Sequence, residues 1–310
     1  MQINGTSIDD TYAEAFGLRA ARLLITADSP EWAAIAARSL AGFATSVIGC
    51  GCEAGLEGPA PQGTPDGRPG VRVLILAPKA EHLQDQLVKR IGQCVMTTVG
   101  SACYDDLPSD DTVRVGSVLR FFGDGHQSSK RIEAALNPAS GRSRRIWRIP
   151  VMDGEFLVDD RFGVRKAVAG GNFLIMGQTA ETALRAAGRA VAAIQTVPGV
   201  ILPFPGGVVR SGSKVGSRYK KLVASTNSPY CPTLRRSTDS VLPDDVESVL
   251  EIVIDGLTAE DVGRAMSVGV RAACGDGVPR ITAGNYGGKL GRHLFHLRPL
   301  LLKGAAGQPT

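Results

Sequence analysis

Residues 247–288 read ESVLEIVIDGLTAEDVGRAMSVGVRAACGDGVPRITAGNYGG, and this stretch decides the fold. Val249-Leu250-Glu251-Ile252-Val253-Ile254 is a branched, apolar run of strand length. Thr258 then stands three residues before Asp261, close to a capping box, and predicts a helix from Thr258 to about Ala273. Ala283-Gly284-Asn285-Tyr286-Gly287-Gly288-Lys289-Leu290 is a glycine loop that brings bare backbone close to something. Strand, helix and loop in that order predict one half of an α/β unit.

The same grammar recurs upstream. Asn172–Met176 predicts a strand and Thr179 opens a helix to about Ile194. Arg22–Thr26 predicts a strand, and Ser29-Pro30-Glu31 an N-cap with proline in the first turn of a helix to Leu40. Thr45–Ile48 is read as the returning strand, Val71–Leu76 as another, and Lys79–Cys94 as a helix with Leu83, Leu87 and Ile91 at helical spacing. Both halves thus predict an α/β fold of α+β sandwich type. Two similar lobes, 1–148 and 149–310, would each be a sheet covered by helices, ferredoxin-like in character. Trp147–Val151 is taken as an extended connector. The Gly- and Pro-rich runs Glu53–Gly70 and Leu202–Pro232 are taken as loops with a purpose.

Composition sets bounds. Hydrophobic residues are 43% and charged residues 21% of 310, an ordinary globular balance. No apolar run approaches a membrane span, and Met1–Asp10 lacks the basic start of a signal peptide, so a cytoplasmic protein is expected. The six cysteines are scattered apart from Cys50-Gly51-Cys52, which has no second pair to complete a metal set. Basic charge is concentrated. Ser128–Arg148 holds six basic residues and one acid, and Arg210–Arg236 seven basic residues and none, against a net charge of +5 for the whole chain. Neither segment interleaves aromatics as a nucleic-acid platform would; an anionic small substrate or an acidic partner fits as well as nucleic acid, and a merely solvated basic face is the bland alternative.

No Gly-x-Gly-x-x-Gly opens a helix, no Walker lysine follows a glycine loop, and no Gly-x-Ser-x-Gly elbow is present. Gly170-Gly171 enters a strand, where a bulge or close packing is the alternative to ligand binding. His293 and His296 are three apart in an expected strand and face opposite sides, a poor metal pair. Glu251 is a lone carboxylate among apolar residues, costly unless paired, solvated or used. Beside a polar glycine loop it suggests a pocket handling a pterin or an amide, and Glu251 is the best acid–base candidate. Asn172, Ser225, Thr226, Asn227, Tyr230, Asn285 and Lys289 are further pocket candidates.

Several blocks then match one family. They include Asp10-Thr11-Tyr12-Ala13-Glu14-Ala15-Phe16, Thr64-Pro65-Asp66-Gly67-Arg68-Pro69-Gly70, Arg90–Met96 and Phe121–Gly125. Ala169–Phe173, Pro203-Phe204-Pro205-Gly206-Gly207, Ala224–Asn227 with Tyr230-Cys231-Pro232, and Ala283–Gly291 also match. Over nearly its whole length the chain resembles the formylmethanofuran:tetrahydromethanopterin formyltransferases. The resemblance implies two-lobed α/β enzymes, with the N-terminal lobe named proximal and the C-terminal one distal. They assemble as homodimers or homotetramers with no permanently bound cofactor, and tetrahydromethanopterin and a methanofuran-type carrier are cosubstrates. The family's strand glutamate falls at Glu251, and Gly170, Gly171, Asn172, Phe204, Ser225, Thr226, Asn227, Tyr230, Asn285 and Lys289, all within the matching blocks, are the candidate substrate-binding residues. A pI near 9.0 and extra residues around 128–145 depart from the archaeal pattern and look methylotrophic. This implies a component of a formyltransferase/hydrolase complex, with no nucleic-acid or membrane partner. A non-catalytic scaffold within such a complex is the alternative.

Overall fold

The computed structural model describes residues 1–60, 63–132 and 144–305. The chain forms two compact units, Leu18–Ala167 and Met1–Gly17 with the chain from Val168 on.

In the unit Leu18–Ala167, strand β1 (Tyr12–Thr26) leads to helix α1 (Pro30–Ala41), capped by the Ser29 hydroxyl, which accepts from Trp32 N. Strands β2 (Glu53–Pro59) and β3 (Gly70–Ala77), helix α2 (Ala80–Arg90) and strand β4 (Ala102–Asp105) follow. β3 pairs antiparallel with β2 and with Arg19–Thr26 of β1, and β1 pairs antiparallel with β4. The order β4-β1-β3-β2 with a helix after β1 and after β3 is the split β-α-β arrangement of ferredoxin-like folds. β5 (Arg144–Val151) and β6 (Gly154–Asp159) extend it, β6 pairing parallel with β4. Period-2 alternation turns Ala21, Leu23 and Ile25 toward the helices, where they meet Ala33, Leu40, Leu83 and Leu87 in one core.

Three local expectations change. Thr45–Ile48 is not a strand. Val47–Cys50 is a single helical turn, because the Ser46 hydroxyl accepts from Ile48 N and the Glu53 carboxylate from Val47 N. These local caps outweigh the β preference of Val47 and Ile48. The returning strand is β2, inside the presumed loop Glu53–Gly70. Trp147–Val151 belongs to β5, hydrogen-bonded between β6 and Ser128–Ile132, so it is sheet rather than connector. Residues 133–143, the middle of the basic segment 128–148 and of the extra residues around 128–145, lie outside the described residues.

Packing in this unit leaves no room at Gly163, where a Cβ would lie 1.8 Å from the Leu107 carbonyl oxygen. The obstacle is backbone rather than a flexible side-chain tip. Gly163→Ala is expected to destabilise the protein by about 1–3 kcal/mol, read as a lower thermal midpoint.

The other unit repeats the topology. β7 (Arg165–Gly177) enters it at Val168 and is followed by α3 (Ala180–Ile194), the short strand Val200–Ile201, β8 (Ser248–Gly256), α4 (Ala259–Ala273) and β9 (Arg280–Thr282). β7 pairs antiparallel with β8 and β9, and Val200–Ile201 pairs with β8, so the order again puts the fourth strand beside the first. Thr179 and Thr182 form a capping box on α3, and Thr258 Oγ1 accepts from Asp261 N on α4. Phe173, Ile175, Ile252 and Ile254 turn toward α3 and α4 and meet Ala186, Ala190, Val262 and Met266. Thr6–Ile8 pairs parallel with β9, and Tyr12–Ala15 of β1 pairs with β10 (His293–His296). The first residues of the chain are therefore bound into the C-terminal unit by long-range pairing, so the cut expected at 148/149 does not describe the compact units. Among the described residues no helix is long and apolar enough to cross a membrane.

Candidate active site

The second unit has one sheet face without helices. Because Leu174 pairs with Glu251, Met176 with Val249 and Asn172 with Val253, these six side chains share that face. The chain between Val200–Ile201 and β8 is a simple connection in the first unit but runs through 202–247 here. It folds back over the open face, and Leu242 and Val246 bury against Met176, with Tyr230 and Val249 packed beside them. At Val209 it lies along β8. Val209 N donates to Glu251 O at 2.8 Å and Glu251 N to Val209 O at 3.0 Å.

A cavity of about 460 Å³ remains under this cover, floored by Leu174, Leu250 and Glu251 and walled by Arg210, Asn227 and Tyr230. Glu251 is the acid at its base. Burial alone pushes its carboxyl up to about 7. Burial likewise raises the Tyr230 phenol, with a smaller opposing effect from the Thr282 hydroxyl.

The sign of the Glu251 shift has a stability consequence. Its ordinary value is about 4.3 and its folded value about 7, so the folded chain holds a proton that the unfolded chain releases between these pH values. Stability falls as pH rises through that window. Glu251→Gln removes the penalty. The variant is expected to melt higher than the native chain at pH 8, by a gain of about 1–2 kcal/mol given partial solvent screening, and equally at pH 4. Thermal scans at the two pH values check this.

The other candidates divide sharply. Asn227, with Glu251 and Tyr230, faces the cavity, and its side-chain amide has no hydrogen bond to another described residue. Asn172 does not present a free donor. Its Nδ2 donates to Gly170 O and Gly284 O at 3.2 Å each, and its Oδ1 accepts from Gly284 N at 2.7 Å. It mimics a peptide partner for the glycine loop. Asn285 is similarly used, bonding Thr11 Oγ1, Tyr12 O and Gly287 N. Gly170 and Gly171 form the strand irregularity rather than a cavity wall. Gly170 has φ +91° and donates to Asp255 Oδ1, and a Cβ on Gly171 would lie 2.3 Å from Val262 of α4. Phe204 lines a neighbouring groove that shares Val209, Arg210 and Ser211 with the cavity. Ser225 lies in the hairpin Lys214–Val215/Ala224–Ser225, with its hydroxyl on Gly216 O, and Thr226 and Lys289 are exposed outside the cavity.

Sequence reasoning did not find Arg210, Ser211 and Gly212, which sit in irregular chain with no periodicity to mark them. It also did not find Glu14. That carboxylate is buried within the glycine loop and accepts from the backbone N–H groups of Tyr286, Gly288, Leu290 and Gly291 at 2.5–2.9 Å. Burial works to raise its pKa, but these four donations hold it below the ordinary value. The bare backbone of the loop thus approaches the protein's own carboxylate.

Comparison with known proteins gives a single answer. Residues 1–151 match the family model described as formylmethanofuran-tetrahydromethanopterin formyltransferase, and residues 154–300 the model described as "FTR, proximal lobe". The C-terminal lobe is therefore the proximal one, the reverse of the names expected from sequence. A formylmethanofuran–tetrahydromethanopterin formyltransferase of Methylococcus capsulatus is 53% identical over 306 residues, covering 97% of this chain and all of the relative. A component of the formyltransferase/hydrolase complex of Methylorubrum extorquens is 50% identical, covering 98% of both chains. A crystal structure of that organism's formyltransferase/hydrolase complex, bound to methylofuran, superposes with a TM-score of 0.93 at 48% identity, over 97% of this chain and 98% of that one. The formyltransferase of Methanosarcina barkeri superposes at 0.90 with 47% identity, over 97% and 100%.

Proposed function

The chain belongs to the formylmethanofuran–tetrahydromethanopterin formyltransferase family, and on that premise we propose that it moves a formyl group between N-5 of tetrahydromethanopterin and the amine of a methanofuran-type carrier, with Glu251 as the proton exchanger. The observation that carries this is a carboxyl held near neutrality at the base of a cavity by burial alone.

Formyl transfer between nitrogens makes one C–N bond and breaks another. The attacking amine nitrogen adds to the formyl carbon, giving a tetrahedral oxyanion. The attacking nitrogen must then lose a proton and the leaving nitrogen must gain one. A single group can do both when its pKa lies near the working pH. Ionised Glu251 takes the proton from the attacking nitrogen and returns it to the leaving one. Asn227 faces the same cavity with its amide uncommitted and is the side-chain donor best placed for the oxyanion. Arg210 and the cavity walls orient the carriers.

Because the ionised form of Glu251 starts the exchange, kcat/KM is expected to rise with pH along a limb centred near 7. Initial rates from pH 5 to 9 check this, and a limb near 4 with a flat profile above it counts against Glu251 as the base.

The relative from Methylorubrum is named as part of a complex, and the same assembly is proposed for this chain, with a homodimer or homotetramer as its core and with transfer toward the methanofuran-type carrier. Arg210 lines the cavity, and Lys214, Arg218, Lys220 and Lys221 are exposed on the covering chain, a basic surface that suits an anionic carrier tail or an acidic partner. Assembly that weakens as salt rises from 50 to 500 mM supports the partner role, and salt-independent assembly contradicts it.

A further inference from the structure

The glycine loop that carries Tyr286 closes around one buried side chain. Glu14 lies on β1 with 1% of its surface exposed. Its Oε2 accepts from Tyr286 N at 2.7 Å and Gly288 N at 2.9 Å, and its Oε1 from Leu290 N and Gly291 N at 2.5 Å each. Four donors on one carboxylate use essentially all of its lone pairs. The loop has adapted to it in shape, since a Cβ on Gly291 would lie 2.5 Å from Ala15 O and 2.7 Å from Glu14 Cγ. Asn172 pins the loop's start at Gly284 by a two-way amide pair. Tyr286 is thereby held with its ring 6.2 Å from that of Phe16, half-buried, and within electrostatic reach of both Glu251 and Glu14.

We propose that Glu14 is a positioning residue for formyl transfer: by folding residues 284–291 around its carboxylate it holds the loop and Tyr286 over the sheet face that carries Asn172 and Glu251, and so keeps water from the acid–base carboxyl. This rests on Glu251 exchanging the proton. Glu14 itself is enclosed by its own loop and does not line the cavity.

Several other charged and titratable groups face Glu251. Arg210, Tyr230 and Cys231 reach the cavity from the covering chain, and Glu247 from the approach to β8. Arg280 of β9 lies on the same sheet face and is paired with Asp9 at 2.7 Å. α3 offers only Ala180 and Leu184, and β7 only Leu174, all apolar. Tyr286 does not line the cavity itself; it stands two residues after Gly284, which Asn172 holds on the sheet face that also carries Glu251, so on this proposal displacing the loop uncovers that face to water.

The test is the pH profile of the full chain. Glu14→Gln sets an amide N–H₂ against backbone donors and cannot hold all four. It is expected to lower kcat/KM about 10²-fold and to move the ascending limb of kcat/KM down by about one pH unit, as Glu251 gains water. Tyr286→Ala leaves Glu14 and its loop bonds in place and is expected to move the limb the same way. It decides the matter if Glu14→Gln does not fold. A purely structural role for Glu14 lowers the yield or melting temperature but leaves the limb where it is. The native limb in both variants overturns the proposal. Glu251→Gln run in parallel separates the two ideas. An inactive Glu251→Gln with unmoved limbs in the others sinks the Glu14 proposal alone, whereas a near-native Glu251→Gln removes the acid–base reading beneath it.

Discussion

Glu251→Gln is expected to lose about 10²–10⁴-fold in kcat while KM for both carriers stays within a few-fold. The carboxamide keeps the size and polarity of the side chain but neither accepts nor returns a proton at neutral pH. On the proposed reading binding depends on the cavity walls, which the substitution leaves intact. The same change is expected to raise stability above pH 7, because it removes a carboxylate that burial disfavours. A large loss of rate with a gain of stability is the mark of a group kept for chemistry. Steady-state kinetics and thermal melts on one preparation measure both. A parallel loss of rate and stability would instead point to a packing role.

The second large effect is expected at Asn227. It walls the cavity with Glu251, and its amide is not committed to another described residue. If it donates to the tetrahedral oxyanion, Asn227→Ala is expected to lower kcat about 10²–10³-fold, with little change in ground-state binding. Asn172→Ala makes the contrast. Asn172 clamps Gly284, so its loss is expected to reduce stability and loosen the glycine loop. A rate loss at Asn172 with native stability, and none at Asn227, would exchange the two assignments. Rates normalised to folded protein distinguish them.

Much of the architecture was legible because it is local. The runs at 172–176 and 250–254 announce strands by branched apolar residues, and Thr179 and Thr258 announce helices by their caps. Glu251 was legible because a lone acid on such a strand demands a reason. What was hidden depends on distant partners. Glu14 bonds to Tyr286 across 272 residues of sequence, and Thr6–Ile8 joins β9 across a similar span, so neither the glycine loop's purpose nor the interleaving of the units can be read from neighbours. Asn172, Asn227 and Asn285 look alike as residues, and only their hydrogen bonds separate two clamps from one uncommitted amide. Val47-Ile48 reads as strand until Glu53 is seen accepting from the Val47 N–H.

The central claim is that the cavity over Glu251 performs the transfer. The most direct test is single-turnover formyl transfer by the purified chain, with formyl-tetrahydromethanopterin and a methanofuran-type amine both saturating. Loss of the formylated pterin is followed optically, for the native chain beside Glu251→Gln. The account predicts rapid transfer by the native chain and a slow, near-background trace for the variant. Tight binding of both carriers with background transfer by the native chain would contradict it and leave a carrier-holding scaffold in its place.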